Sequence, residues 1–426
     1  LLSRRQRQMC IRDSSKAVEI VSHHPEMKKA LSYVKETLQE TVAIQKELVL
    51  IEAPSYHEQN RAKRYAQLLE QAGLSEVKID NSYNVYGYIR GSGNTGKSIL
   101  LEGHLDTVFD FGSATEIKTD EDGKIHCPGI CDDTRALAAN WAVVKAICTH
   151  HLKPYHDIII AGTVCEEGLG GMKGMSQLIK ELSQETELLA SLSIDGPTGS
   201  HFYANATGMV DWEVEFEGPG GHAWTAHDTA SAVQAACRAA ALISEIELPI
   251  EPKTTCTVSL IEGGQAVHGI AQRAKFSINA RSNSQIVLNQ LNEKMIRAIH
   301  DGLERENQRF KPDRQVAVRY KKTLDIPAGE QAEDCRMIQL AKLVTKAFGI
   351  EPIFKKGGCT NANIPIFHQI PAVTFGRGGE EFGTHTLEEW FNPKGVYVCE
   401  QKSLLMLFVL AGLNPVSYTH LTLPTT

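Results

Sequence analysis

Five stretches of the chain set an acid or an imidazole at the end of an apolar run or at the start of a helix, where side chains can bind metal ions or move protons. His104 and Asp106 follow "SILLEG" (98–103), and Asp132 with Asp133 follow Gly129 and begin "DDTRALAANWAVVKAI" (132–147). Glu166 and Glu167 follow "HDIIIAGTV" (156–164), Asp195 follows "LLASLSI" (188–194), and His385 lies in the loop after "IPAVTF" (370–375). Each alone has an ordinary explanation: a strand emerging into a polar loop, an N-capping Asp132, a solvated glutamate pair. Together they do not, because so many anions at one sheet edge repel strongly unless cations neutralise them. A pair of divalent metals is the economical solution. Imidazole and carboxylate ligands without thiolates suit zinc, with manganese or cobalt as substitutes. The chemistry such a pair supports is attack of an activated water on a polar bond.

The elements that must position these groups are legible as strands alternating with helices. The apolar runs lack polar alternation, which predicts an α/β fold with a mostly parallel sheet covered by helices on both faces. In such a sheet ligands gather beyond the carboxyl ends of the strands, so five loops would share one crevice. Residues 26–50 are expected to form one amphipathic helix stopped before Pro54, and "SYHE" (55–58) a capping box opening a helix that Gly73 closes. "EDCRMIQLAKLVTKAF" (333–348) is expected to be helical. Over 207–322 the pattern becomes β-α-β-β-α-β, from "MVDWEVEFEG" through helices at 229–247 and 285–307 to "RQVAVRYKK", which predicts an inserted α+β module. The expected organisation is therefore a first catalytic part over 15–206, the insertion over 207–322 and a second catalytic part over 323–414.

Composition narrows the function further. The 426 residues are 42% hydrophobic and 22% charged with a formal net charge of -7, so a nucleic-acid partner is not expected. The apolar "LLMLFVLAGL" (404–413) is far short of a membrane span and predicts a buried helix. Ten scattered cysteines without a CxxC pair suggest a reducing compartment, the cytoplasm, and inert buried thiols rather than zinc ligands at Cys127 and Cys131. The alternative is a signal peptide lost with the native N-terminus, which would place the protein outside the cytoplasm. The ends, 1–14 and 415–426, show neither helical nor strand period and resemble appended, non-native sequence.

Eight motifs in order carry a resemblance covering nearly all of 40–413: "GHLDTV" (103–108), "GICDDTRA" (129–136), "CEEGLGG" (165–171), "SIDGP" (193–197), "GPGGHA" (218–223), "NARS" (279–282), "GGCTNANIP" (357–365) and "GTHTLEEW" (383–390). The chain resembles the co-catalytic zinc exopeptidases and deacylases, the family of peptidase T, glutamate carboxypeptidase, acetylornithine deacetylase, succinyl-diaminopimelate desuccinylase and aminoacylase. The resemblance implies two Zn2+ per subunit, with His104 on one ion, Asp132 bridging both, Glu167 and His385 completing one shell, and Asp195 joining His104 on the other. It implies that Asp106 orients His104, that Glu166 is the general base, and that the Asp132–Asp133 peptide is cis. It further implies that the inserted ferredoxin-like module is a lid and homodimer interface. His222 would then stabilise the oxyanion in the partner subunit's site, Arg281 would clamp a substrate carboxylate, and Asn361 and Asn363 would hydrogen-bond substrate.

Three positions depart from the family pattern: Asn361 stands where Asp is usual, and Thr134 and Arg135 follow the Asp pair where Lys or Gly is commoner. None is an implied metal ligand, so they bear on substrate preference rather than on hydrolysis. The expected function is metal-dependent hydrolysis of an amide bond in a small peptide. The alternatives are deacylation of an N-acyl amino acid and a non-catalytic homologue serving as a binding module. A phosphoesterase has no support, since neither a phosphate-cradling glycine loop nor a basic cluster accompanies the acids.

Overall fold

The computed structural model describes residues 4–413, with side chains from residue 13. Two compact units are formed, one by residues up to Ala204 and from Gln331 onward, the other by Asn205–Glu330.

Along the first unit run the strands β1 (Ser75–Ile79), β2 (Val85–Ile89), β3 (Lys97–His104), β4 (Asp157–Thr163), β5 (Glu187–Ile194) and β6 (His201–Tyr203). In the second unit come β7 (Gly208–Glu217), β8 (Thr254–Gly263), β9 (Arg273–Ser282) and β10 (Ala317–Ile326), after which β11 (Ile353–Lys355) and β12 (Ala372–Phe375) return to the first. The large sheet has the order β1-β2-β4-β3-β5-β12-β6-β11. Its four central strands β4-β3-β5-β12 are parallel and flanked by antiparallel neighbours. Parallel strands need both faces covered. Accordingly Ile99, Leu101, Ile158, Ile160 and Leu192 are fully buried in one core together with helix residues such as Leu137, Val143 and Leu404. The apolar run at 404–413 lies largely within the buried helix Val398–Ala411, and no helix among the described residues is long and apolar enough to cross a membrane.

Several local expectations are corrected. The helix expected over 26–50 is two, Pro25–Glu36 and Leu38–Val49. The break falls at Thr37, whose hydroxyl donates to the Tyr33 carbonyl at 2.8 Å, a back-bond that bends helices. No capping box forms at 55–58: the helix Gln59–Ala72 has Glu58 at its N-cap without a side-chain cap. The Ser55 hydroxyl instead donates to Asp106 at 2.7 Å. Gly73 does close that helix, at φ 104°. The helix Arg4–His23 begins within the segment expected to be irregular; residues 415–426 lie outside the described residues.

In the second unit β8-β9-β7-β10 form an antiparallel sheet, the strand order of a ferredoxin-like β-α-β-β-α-β unit. Helices Ala232–Ser244 and Gln285–Asn307 pack on it around Val214, Phe216, Phe276, Ile278 and Met295. The last strand runs to Ile326 rather than Lys322 because Leu324 and Ile326 are buried.

Candidate metal centre

Beyond the ends of the central strands the first unit gathers its acids. His104 is the last residue of β3, which is 0–2% exposed over Ile99–Leu101 and at His104. Gly103 makes this possible, since a Cβ there would lie 2.7 Å from Ala136 Cβ and 3.0 Å from Asp133 Oδ2. That close approach lets the Asp133 carboxylate accept the His104 backbone N–H at 3.0 Å. The Asp132–Asp133 peptide is cis. Asp132 sends Oδ1 to within 3.0 Å of His104 Nε2 and Oδ2 to within 3.2 Å of His385 Nε2, which also lies 2.8 Å from Glu167 Oε1. Cys165 (φ 53°) and His385 (φ 68°) both adopt left-handed backbone, uncommon for such residues and found where a site over-determines the chain.

Three overlapping groups have ligand atoms within 4.8 Å of one another: His104, Asp132, Asp133 and Asp195; His104, Glu166 and Glu167; Asp132, Glu167 and His385. These oxygen and imidazole donors fit a pair of divalent ions sharing Asp132. Asp132, Glu166, Glu167, Asp195, Tyr203 and His385 line a cleft of about 210 Å³. A larger cavity of about 470 Å³, beside Val18, Leu31, Leu343, Phe348 and Leu405, contains none of these groups.

Asp106 knits the cluster together. His104 Nδ1 lies 3.0 Å from the Asp106 carbonyl oxygen and 3.4 Å from its carboxylate, which leaves Nε2 directed at Asp132. The same carboxylate accepts the backbone N–H groups of Glu166 and Glu167 at 3.0 and 3.1 Å. It therefore holds two loops and one ring in register, a wider task than orienting His104 alone.

The electrostatics follow from crowding. Burial, with Glu167 and Asp195 adding to it, pushes the Glu166 carboxyl well above the ordinary range despite His104. Burial and the Asp132 charge push Asp195 up to about 7. Burial opposes ionisation of Asp132 too, yet Arg377, His104 and His385 hold it well below the usual carboxylate range. Hydrogen bonds to Asp132 and Glu167 raise His385 to about 10.

Sequence reasoning missed two supports. Glu389 accepts the N–H groups of Gly129, Cys131 and Asp132 at 2.9, 2.7 and 3.3 Å, fixing the turn that presents Asp132. Arg377, 2% exposed, donates to Asp132 Oδ1 at 2.7 Å and Asp195 Oδ1 at 3.0 Å. A cation therefore does stand beside these acids, where the sequence suggested no basic cluster.

Asn361 and Asn363, expected to hydrogen-bond substrate, are buried at 3% and 1% exposure. The Asn361 amide nitrogen donates to Glu102 and Thr163, each at 2.8 Å, and Asn363 accepts the Thr360 N–H at 3.2 Å. Both amides thus make contacts inside the protein. Glu102 is also contacted by Ser193, and burial raises its carboxyl above the ordinary range against those hydrogen bonds. This explains an amide at 361, because an Asp there would face the buried Glu102 carboxyl. Asn361→Asp is expected to cost about 2–4 kcal/mol at pH 8. The paired carboxyls would bind a proton that the unfolded chain releases, so the loss should shrink towards pH 5; thermal melts at both pH values check this. Thr134 and Arg135 also turn inward: Thr134 donates to the Gly129 carbonyl at 2.6 Å and Arg135 pairs with buried Glu400 at 2.6 Å.

The remaining expected residues belong to the second unit. His222 is exposed on a short ribbon pairing Gly221–His222 with Gly269–Ile270, and its Nδ1 accepts the Trp224 N–H at 3.2 Å. Arg281 is exposed near the end of β9, donating from Nε to Asn279 at 3.2 Å.

Known proteins offer a comparison. The pattern defining peptidase family M20/M25/M40 matches residues 100–402. A probable carboxypeptidase of Aspergillus terreus is 26% identical over 263 residues, 56% of this chain and 60% of that protein. An N-acetyldiaminopimelate deacetylase of Priestia megaterium is 26% identical over 213 residues, 47% of this chain and 52% of that one. The chain thus spans little more than half the length of these curated relatives. The crystal structure of the aminopeptidase PepT from Bacillus cereus superposes with a TM-score of 0.73 at 20% identity, covering 88% of this chain and 99% of that one.

Proposed function

The chain belongs to peptidase family M20/M25/M40, and on that premise we propose that it hydrolyses an amide bond beside a free carboxylate in a small peptide, using two zinc ions. The observation that carries this is Asp132, with one carboxylate oxygen facing His104 and the other facing His385. The proposed ligands are His104, Asp132 and Asp195 for one ion, and Asp132, Glu167 and His385 for the other. Bound there, the ions would lower the pKa of water and polarise the scissile carbonyl.

The chain's own residues do the rest. Among the described residues no side-chain hydrogen bond ties down the Glu166 carboxylate, and Glu166 lines the cleft. It takes the proton of the attacking water and returns it to the leaving amine. Asp106 and Glu389 keep the loops aligned through the N–H groups they accept. His222 is assigned to the oxyanion in the partner subunit of a homodimer, with the second unit as lid and interface, and Arg281 to the substrate carboxylate. Deacylation of an N-acyl amino acid is the second reading, favoured by the deacetylase relative, since the bond broken and the groups required are the same.

Prolonged chelation is expected to abolish hydrolysis, and zinc, manganese or cobalt to restore it. A panel of dipeptides, tripeptides and N-acetyl amino acids then separates the two readings. Activity on none of them, or activity indifferent to chelation, rejects both.

A further inference from the structure

Arg377 has no part in the proposed reaction, yet its guanidinium lies among the proposed ligands. The backbone brings it there through Gly376, one residue beyond β12. A Cβ at Gly376 would lie 1.8 Å from the Thr198 carbonyl oxygen, so only glycine fits. The Arg377 N–H then donates to the Gly196 carbonyl at 2.9 Å, tying this strand end to the loop that bears Asp195. Glu381 grips the far side of the guanidinium, accepting from Nε at 3.3 Å and from one terminal nitrogen at 3.0 Å. The other terminal nitrogen is thereby aimed at Asp132 Oδ1 (2.7 Å) and Asp195 Oδ1 (3.0 Å), with Asp133 3.9 Å away.

The two proposed ion positions therefore differ in charge. Asp132 Oδ1 and Asp195 Oδ1, with His104 Nε2, define the first, and a guanidinium already hydrogen-bonds two of its three ligands. Asp132 Oδ2, Glu167 Oε1 and His385 Nε2 define the second, and no Lys or Arg among the described residues pairs with Glu167 there. A guanidinium cannot shed its charge as a buried lysine does. It repels a dication at close range and draws electron density from the oxygens it shares.

We propose that Arg377 makes the metal centre unequal, weakening the ion at His104, Asp132 and Asp195 so that the position at Asp132, Glu167 and His385 fills first and holds tighter. This rests on the two-ion reading above and adds an order of loading set by a residue that ligates neither ion.

Calorimetric titration of chelator-stripped protein with Zn2+ tests it without an activity assay. Wild type should show two classes of site differing at least about tenfold, the weak class lost in Asp195→Asn and the tight class lost in His385→Ala. Arg377→Met should tighten the weak class about tenfold and the tight class by less than about threefold, whereas Arg377→Lys, which keeps the charge, should leave the weak class weak. Equal affinities in wild type, a weak class lost in His385→Ala instead, or an Arg377→Met ratio like that of wild type overturns the proposal while leaving the two-ion reading intact. Wild type binding no zinc overturns both. If Arg377→Met does not fold, Arg377→Gln, neutral but still able to hydrogen-bond, takes its place, with the same tightening of the weak class expected and a wild-type ratio overturning the proposal.

Discussion

Glu166→Gln is expected to lose at least about a hundredfold in kcat while retaining its full complement of metal. The amide preserves the shape of the carboxylate, so the loops held by Asp106 stay in place, because that contact runs through the Glu166 backbone N–H. What would be lost is the proposed ability to accept a proton from water and return it to the amine, a contribution typically of 10²–10⁴-fold. Glu166 belongs to the buried group with His104 and Glu167 but is not among the proposed ligands. Steady-state kinetics beside metal analysis on the same preparation checks this. Near-normal turnover would remove Glu166 from the mechanism, and loss of metal would make it a ligand instead.

His222→Ala is expected to lower kcat by a comparable factor, of order 10²–10³ for a lost oxyanion donor, again without loss of metal. The His222 ring is exposed on its ribbon, so its removal should leave the fold of the second unit untouched. The proposed crossing between subunits has a sharper consequence. When Glu166→Gln and His222→Ala proteins are dissociated and mixed in equal amounts, half the dimers would be mixed, and each mixed dimer would hold one intact site. About a quarter of wild-type activity should therefore return. No recovery, with mixed dimers shown to form, would place His222 and Glu166 of one site on the same chain or deny His222 the role.

The strand ends were legible because a parallel sheet forces the issue. Buried on both faces, β3, β4, β5 and β12 read as predominantly apolar runs without polar alternation, and the acids and imidazoles just beyond them stand out. The partners of those residues were not legible. Glu389 holds the Asp132 turn from 257–260 positions away, a distance over which no local pattern carries information. Ser55 has the spacing of a helix cap, and the competing attraction of Asp106 arises only once β3 lies beside it. Arg377 is the instructive omission. It follows a strand end just as the acids do, with Glu381 four residues on, but the glycines of "GRGGEEFG" (376–383) suggest a plain loop. The Asn361 departure answers to Glu102 beside it, a carboxyl that the sequence hides inside an apolar run.

Asp132 is proposed to join two ions. Anomalous diffraction from crystals soaked in zinc measures this most directly, since it locates each ion without an assay. Two peaks about 3.5–4 Å apart, one within bonding reach of His104 and Asp195 and the other of Glu167 and His385, with Asp132 touching both, is the expected result. A single peak at full zinc occupancy, or peaks away from Asp132, would contradict it.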